Sequence, residues 1–421
     1  MKPVFLANGV DGLFVKNNRF NTTLVSFNFY LPLNTKEMAV NALLPYVLTS
    51  CSKKYTTFTE LNMALNMLYG AGLSTSVSKI GDAQLLKIAI SVINDEYSLD
   101  GDAIIQKATD LLMELIFEPK IQGTSFFEND VLREKRKARE HILGEINDKR
   151  RYARKKLISE MFEGTAYADS AYGNIEDLEK VDGAALYSAW LNVLNSAYVR
   201  VQLVGKELPN GFFEGVSNKF SNYNRTVSND YRTLIKLEQR ERVKRVTEHL
   251  DVAQGKLVMG FSSDVWGNDA YALTVATDIF GGGTYSGLFA NVREKLSLCY
   301  YCSASANKNK GYIMVDSGVE FANAKRAEDE ILNQLRLVQN GEFEENVFAS
   351  SKKNILNSLN SSYDSLGALD GWYCSNIFLD DIKSPEEIGK IINDLTLDEV
   401  ITAAKGIKLN TVFMLLGREG E

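Results

Sequence analysis

Along the first half of the chain, hydrophobic and polar positions switch between a two-residue period and a three-to-four-residue period. Val25, Phe27 and Phe29 alternate with Ser26 and Asn28, which predicts a half-buried strand. A helix is expected from about residue 35, with Pro45 kinking it or ending its first part, because proline lacks the amide that the helix ladder needs. Residues 59–69 read as a second helix, stopped at Gly70 and Gly72. Residues 73–78 and 85–92 read as paired strands around a Gly81-Asp82 turn. Two helices should follow, one over 102–116 and one long charged helix over about 129–154. A helix near 184–194 and a strand over 198–204 close the half.

The second half repeats this order. A strand is predicted over 257–261, a helix over 269–280, a helix over 285–296, and a strand pair, 299–304 with 312–319, joined across Lys308-Asn-Lys-Gly311. Ala324, Ala327, Ile331, Leu335 and Val338 mark one face of the next helix. The halves also end alike. Leu203-Val-Gly-Lys-Glu207 closes the first and Leu415-Leu-Gly-Arg-Glu419 the second, with glycines 212 residues apart. A helix and a short Leu-Asn turn (Leu194-Asn195, Leu409-Asn410) precede each. An internal duplication of two similar α+β domains explains this pattern. Residues 1–220 form the first domain, 221–248 a linker rich in Asn and charge, and 249–421 the second.

Composition narrows the class. At 421 residues the chain exceeds one ordinary core, and 45% hydrophobic with 24% charged residues is that of a globular protein. The net charge of −7 argues against nucleic-acid binding. The N-terminus lacks the apolar core of a signal peptide. The most apolar stretch, 38–48, is too short for a membrane span. Four scattered cysteines form no secreted disulfide framework, so a cytoplasmic location is expected.

The segment Gly281-Gly-Gly-Thr-Tyr-Ser-Gly-Leu-Phe-Ala-Asn-Val-Arg293-Glu-Lys-Leu-Ser-Leu-Cys-Tyr300 carries the most information. It reads as a glycine-rich loop, a short amphipathic helix bearing Arg293 and a strand bearing Tyr300. The triplet Gly281, Gly282 and Gly283 lets the backbone turn where side chains would clash and leaves amides free to meet a ligand. By spacing alone, an arginine at a helix end is usually surface and a strand tyrosine usually core.

This segment resembles the substrate-binding segment of the pitrilysin-like zinc peptidases, relatives of insulinase and of mitochondrial processing peptidase. In that family an Arg and a Tyr seven residues apart hold the scissile peptide. The resemblance covers essentially the whole chain, from Pro3-Val-Phe-Leu-Ala-Asn-Gly9 onward. Asn41-Ala-Leu-Leu-Pro-Tyr-Val-Leu48 and Met67-Leu-Tyr-Gly-Ala-Gly-Leu73 resemble the bacterial, zinc-less YmfF-like branch. It implies α+β domains with mostly antiparallel sheets packed with helices, forming half of a clam-shaped chamber.

Family members bind zinc through His-x-x-Glu-His on a first-domain helix and a later Glu. Two histidines four residues apart share one helix face, and the Glu between them polarises the bound water. This chain has only His141 and His249, so the motif is absent. Aligning the family pattern puts Ala42, Pro45 and Tyr46 at the ligand and base positions. Glu145, in Arg139-Glu-His-Ile-Leu-Gly-Glu145, is a remnant of the third ligand, with Ala138 replacing the first Glu of that helix. No cofactor is expected in this chain.

The resemblance therefore implies a non-catalytic subunit of a heterodimeric zinc metallopeptidase, catalytically silent by itself. Arg293 would donate to peptide carbonyls through its planar fork. Tyr300 would donate to the oxyanion of the attacked carbonyl. The expected partners are a zinc-bearing sister subunit and a peptide substrate. The alternative is a catalytically dead homodimer or scaffold that binds peptides or a protein. Cys299-Tyr-Tyr-Cys302 has CxxC spacing but sits on a predicted strand without a second ligand pair, so buried structural cysteines are expected. Lys149-Arg-Arg-Tyr-Ala-Arg-Lys-Lys156 reads as a solvated helix face balanced by acids, or else as a patch for an acidic peptide or RNA.

Overall fold

The computed structural model of the chain describes residues 2–378 and 381–417. Its strands are β1 (Val4–Ala7), β2 (Val10–Lys16), β3 (Thr22–Pro32), β4 (Gly72–Ile80), β5 (Ala83–Ile93), β6 (Ile121–Gln122), β7 (Ser125–Phe126), β8 (Tyr198–Gly205), β9 (Lys244–His249), β10 (Gly255–Ser263), β11 (Cys299–Asn307), β12 (Tyr312–Val319) and β13 (Ile407–Leu416). Arg418 and Glu419 of the second closing motif lie outside the described residues.

The chain divides into two compact units. The first comprises Met1–Leu143, Asp169–Thr233 and Ser362–Ile382; the second comprises Gly144–Ala168, Leu234–Ser361 and Lys383–Glu421. The first contains a six-stranded sheet ordered β1-β2-β8-β3-β5-β4 and the second a five-stranded sheet ordered β11-β12-β10-β13-β9. Read from the other edge, the second order is β9-β13-β10-β12-β11, strand for strand the β2-β8-β3-β5-β4 of the first. Among the described residues the parallel pairs also correspond: β2 with β8 and β9 with β13. The two domains are homologous α+β folds with predominantly antiparallel sheets.

The units do not follow contiguous halves of the sequence. The charged helix predicted over 129–154 is two helices, Glu128–Gly144 and Lys149–Met161, separated by a 3₁₀ turn at Glu145–Asn147. The Asp148 carboxylate caps the second helix by accepting from the Arg151 amide at 3.0 Å. That helix packs on β10 and β13, with Met161 seated where a side chain on Gly260 would collide with it. Conversely, the helix Leu366–Ser375 packs on β3 and β8. The linker expected over 221–248 also holds most of β9, which completes the second sheet. Its alternating half-buried and exposed residues belong to an edge strand with few long apolar runs.

Covering both faces of the first sheet changes the reading of β3. Its residues are buried on both sides, including Ser26 and Asn28. One face meets the main core, with Phe27, Phe29, Leu43, Leu44, Leu112, Ile116 and Trp190. On the other, Leu13, Val15, Leu24 and Val204 meet Leu366, Leu369 and Tyr373. The polar positions of that second face find partners on the same helix. Asp370 accepts from Ser26 Oγ at 2.7 Å and Gln202 Nε2 at 2.6 Å, and pairs with the Lys87 ammonium.

Pro45 lies inside the helix Met38–Leu48 and does not end it; the Thr49 hydroxyl caps the Pro45 carbonyl at 2.7 Å. Gly81, with φ of +55°, makes the β4–β5 turn as predicted. Among the described residues no helix is long and apolar enough to cross a membrane.

Candidate functional site

The site grows from the junction between the helix Tyr271–Gly281 and the β11–β12 hairpin. Gly281 is buried at the helix end, where an added Cβ would lie 2.6 Å from the Ala304 nitrogen and 2.8 Å from the Ala304 Cβ. A Cβ on Gly282 would strike Asp278, and one on Gly283 would sit 2.6 Å from the Tyr285 ring. None of the three adopts the left-handed backbone. Gly281 is thus explained by close approach of a helix end to a strand, and Gly282 and Gly283 by the Asp278 and Tyr285 side chains of their own segment.

Residues Leu288–Lys295 form a π-helix, with the Leu296 amide donating to the Asn291 carbonyl five residues back at 3.0 Å. The wider turn is anchored by buried Leu288 and Val292. It exits through Ser297 at φ +48°, a left-handed conformation costing a non-glycine residue about 1–2 kcal/mol. Leu298 is then buried, and β11 begins at Cys299. The exit places Arg293 beside the first residues of the strand.

A β-bulge at Tyr300 sets the other side. Cys299 lies opposite Val319 and Tyr301 opposite Gly318, so Tyr300 is the extra residue and stands out of the ladder. It is 58% exposed. Its hydroxyl donates to Glu320 Oε1 at 3.1 Å. That hydrogen bond and the carboxylate charge hold the phenol above its usual range, so it stays a protonated donor. The Arg293 side chain, 40% exposed, lies over the Phe289 ring at 4.6 Å, with Nε 3.4 Å from Glu294.

Arg293 and Tyr300 therefore line one open cavity of about 350 Å³, together with Glu294, Ser297, Leu298, Cys299 and Glu320. Gly281, Gly282 and Gly283 do not line it. Glu320 escaped the sequence reading. The hairpin register is the signal that would have found it, since the partner of Cys299 is Val319 and Glu320 is the next residue.

The inner side of β11 is held by the basic run. Arg150 donates to Asp316 at 2.6 Å and stacks on the Tyr301 ring at 4.3 Å. Tyr301 also reaches Asp316, at 3.3 Å. Lys156 and Tyr152 share Glu248 at 2.8 and 2.9 Å, and Lys155 pairs with Glu145. Much of the run is matched by acids of its own unit, and buried Ala153, Leu157 and Met161 form its apolar stripe.

The residues at the family's zinc positions do not fit a metal. Ala42 and Pro45 offer no ligand atom, and the Tyr46 hydroxyl is hydrogen-bonded to Tyr172 at 2.8 Å. His141 packs on the Tyr172 ring at 4.7 Å. Glu145, where the resemblance would place the third ligand, is engaged by Lys155. His249 bonds the Gly417 carbonyl at 2.8 Å. Among the described residues, no three His, Cys, Asp or Glu side chains gather as a metal site.

Residues 183–355 match the peptidase M16 inactive domain. The chain is also 30% identical to the "Probable inactive metalloprotease YmfF" of Bacillus subtilis (strain 168), over 98% of this chain and 97% of that protein. The chain belongs to the M16 peptidase family.

The fold agrees with M16 throughout. A conserved protein from Enterococcus faecalis V583 superimposes with a TM-score of 0.90 at 26% identity, covering 100% of this chain and 99% of that one. The peptidase M16 inactive domain from Pseudomonas fluorescens gives 0.76 at 16% identity, over 99% and 98%. Within M16 this chain is an inactive metallopeptidase homologue, whose sequence lacks the His-x-x-Glu-His motif.

Proposed function

We propose that this M16 chain is the peptide-binding, non-catalytic subunit of a two-subunit metallopeptidase. The observation that supports this most is the shared cavity of Arg293 and Tyr300, which stays open although the zinc positions hold Ala42, Pro45 and Tyr46. A scaffold without a peptide to hold has no need of an exposed tyrosine on a bulge, backed by a carboxylate and facing an arginine.

Zinc on the sister subunit would supply the activated water. This chain's part is binding and charge stabilisation. Arg293, over the Phe289 ring, presents its remaining N–H groups to peptide carbonyls. Tyr300, kept protonated by Glu320, turns its hydroxyl from that carboxylate to the oxygen on which charge develops.

The test is to mix the purified chain with a sister M16 subunit that carries His-x-x-Glu-His and follow cleavage of a quenched fluorescent peptide. Neither subunit alone should cleave, and the pair should. Losing one oxyanion donor typically costs about 10²–10³ in rate, so Tyr300→Phe and Arg293→Ala in this chain should each lower turnover on that order. Full activity from the sister alone overturns the proposal and leaves the homodimer or scaffold reading.

A further inference from the structure

The bulge at Tyr300 has a second effect. In a regular strand, residues three apart point to opposite faces. Here the extra residue brings Cys299 opposite Val319 and Cys302 opposite Ser317, two residues apart on β12 and on one face of the sheet. Both thiols are buried and free. Cys299 lines the cavity with Arg293 and Tyr300; Cys302 lies behind it at 5% exposure. A cavity-lining thiol with an arginine beside it and a second thiol on the same face of the strand suits an attacking and a resolving cysteine.

We propose that Cys299 and Cys302 form a peroxide-sensitive dithiol that closes to a disulfide across Tyr300 and so disables the peptide cavity. The Cys299 thiolate attacks one peroxide oxygen, the O–O bond breaks, and hydroxide leaves, giving a sulfenic acid. Cys302, losing its proton, attacks the Cys299 sulfur; the S–O bond breaks and water leaves. The two sulfurs together give up two electrons, which the peroxide accepts. A disulfide holds its Cβ atoms about 3.5–4.5 Å apart, so closure tightens β11 at the bulge that presents Tyr300.

The electrostatics agree. The hydrogen bond from Cys302 and the Arg293 charge hold the Cys299 thiol below its ordinary value despite burial. Cys51 is pushed up by burial, and Cys374 is pushed up to about 12. These two serve as internal controls.

The experiment takes the full reduced chain, exposes it to hydrogen peroxide, blocks remaining thiols with N-ethylmaleimide and maps the peptides by mass spectrometry. The expected product is one intramolecular Cys299–Cys302 disulfide, formed at least about tenfold faster than any oxidation of Cys51 or Cys374. Cys302→Ser should instead accumulate a dimedone-reactive sulfenic acid on Cys299, and Cys299→Ser should give neither product. Equal reactivity of all four cysteines, or no Cys299–Cys302 bond in the wild type, overturns the proposal. The loss of peptide handling rests on the function proposed above. A disulfide that forms while Arg293→Ala and Tyr300→Phe leave the paired activity untouched would sink that function and leave the dithiol standing.

Discussion

Replacing Asp370 by alanine should cost the first unit about 3–5 kcal/mol, the usual penalty for breaking a buried ion pair by removing one partner. The carboxylate is fully buried, and it serves Lys87, Ser26 and Gln202 together. Burial alone lowers the Lys87 ammonium, but Cys374 and Asp370 outweigh it and hold the group above its ordinary value. Without Asp370 the ammonium keeps its desolvation and loses its counter-charge. The Ser26 hydroxyl loses its acceptor as well, at about 1–3 kcal/mol for a group left unpaired, whereas the Gln202 amide keeps the Asp370 backbone carbonyl at 3.1 Å. Lys87 retains 17% side-chain exposure and can recover some hydration, which favours the lower end of the range.

Urea unfolding followed by tryptophan fluorescence reads this directly. Trp372 lies two residues from Asp370, and with Trp266→Phe as background the remaining reporters, Trp190 and Trp372, belong to the first unit. The double variant Lys87→Met/Asp370→Leu should be clearly more stable than Asp370→Ala, because an apolar pair leaves no orphaned charge. An Asp370→Ala midpoint corresponding to less than about 1 kcal/mol of destabilisation would refute the view that this cluster pins the helix to the sheet.

Two further outcomes are expected. Gly281→Ala should destabilise the second unit by about 1–3 kcal/mol in chemical denaturation, because its Cβ would meet the Ala304 backbone rather than a flexible side-chain tip; a neutral effect would mean that helix and strand part easily. Glu328 is almost wholly buried; that burial pushes its carboxyl up, but Arg245, bonded through both terminal nitrogens at 2.7 and 2.9 Å, and Lys325 hold it below its ordinary 4.5. Its contribution is therefore present at neutral pH and lost as the pH falls below 4.5 through the depressed value. Glu328→Gln should flatten that part of the stability–pH profile.

Much of this molecule was legible from residue order. Periodicity located most helices and strands, since each depends on neighbours within a few positions. The repeated closing motif gave the duplication, and counting histidines excluded the zinc motif without any coordinates. The family resemblance of the segment, and not the spacing alone, pointed to Arg293 and Tyr300, a pair that the structure brings to one cavity. The break at 145–148 was harder to see, because the charged pattern runs through it and only Gly144 and Asp148 mark it.

Tertiary structure alone decided what lies on the second face of each sheet. Ser26 and Asn28 predict solvent by their polarity, yet they are buried because a helix some 340 residues later brings Asp370 and Cys374 to them. The same holds for β11. Local pattern places Cys299 and Cys302 on opposite sides of a strand and cannot register one extra residue, whereas pairing with β12 sets the bulge, turns both thiols to one face and stands Tyr300 beside Glu320. Alternation along a chain encodes only which positions differ from their neighbours. Burial, register and charge partners are set by segments distant in sequence, and those contacts turn a recognisable motif into a site.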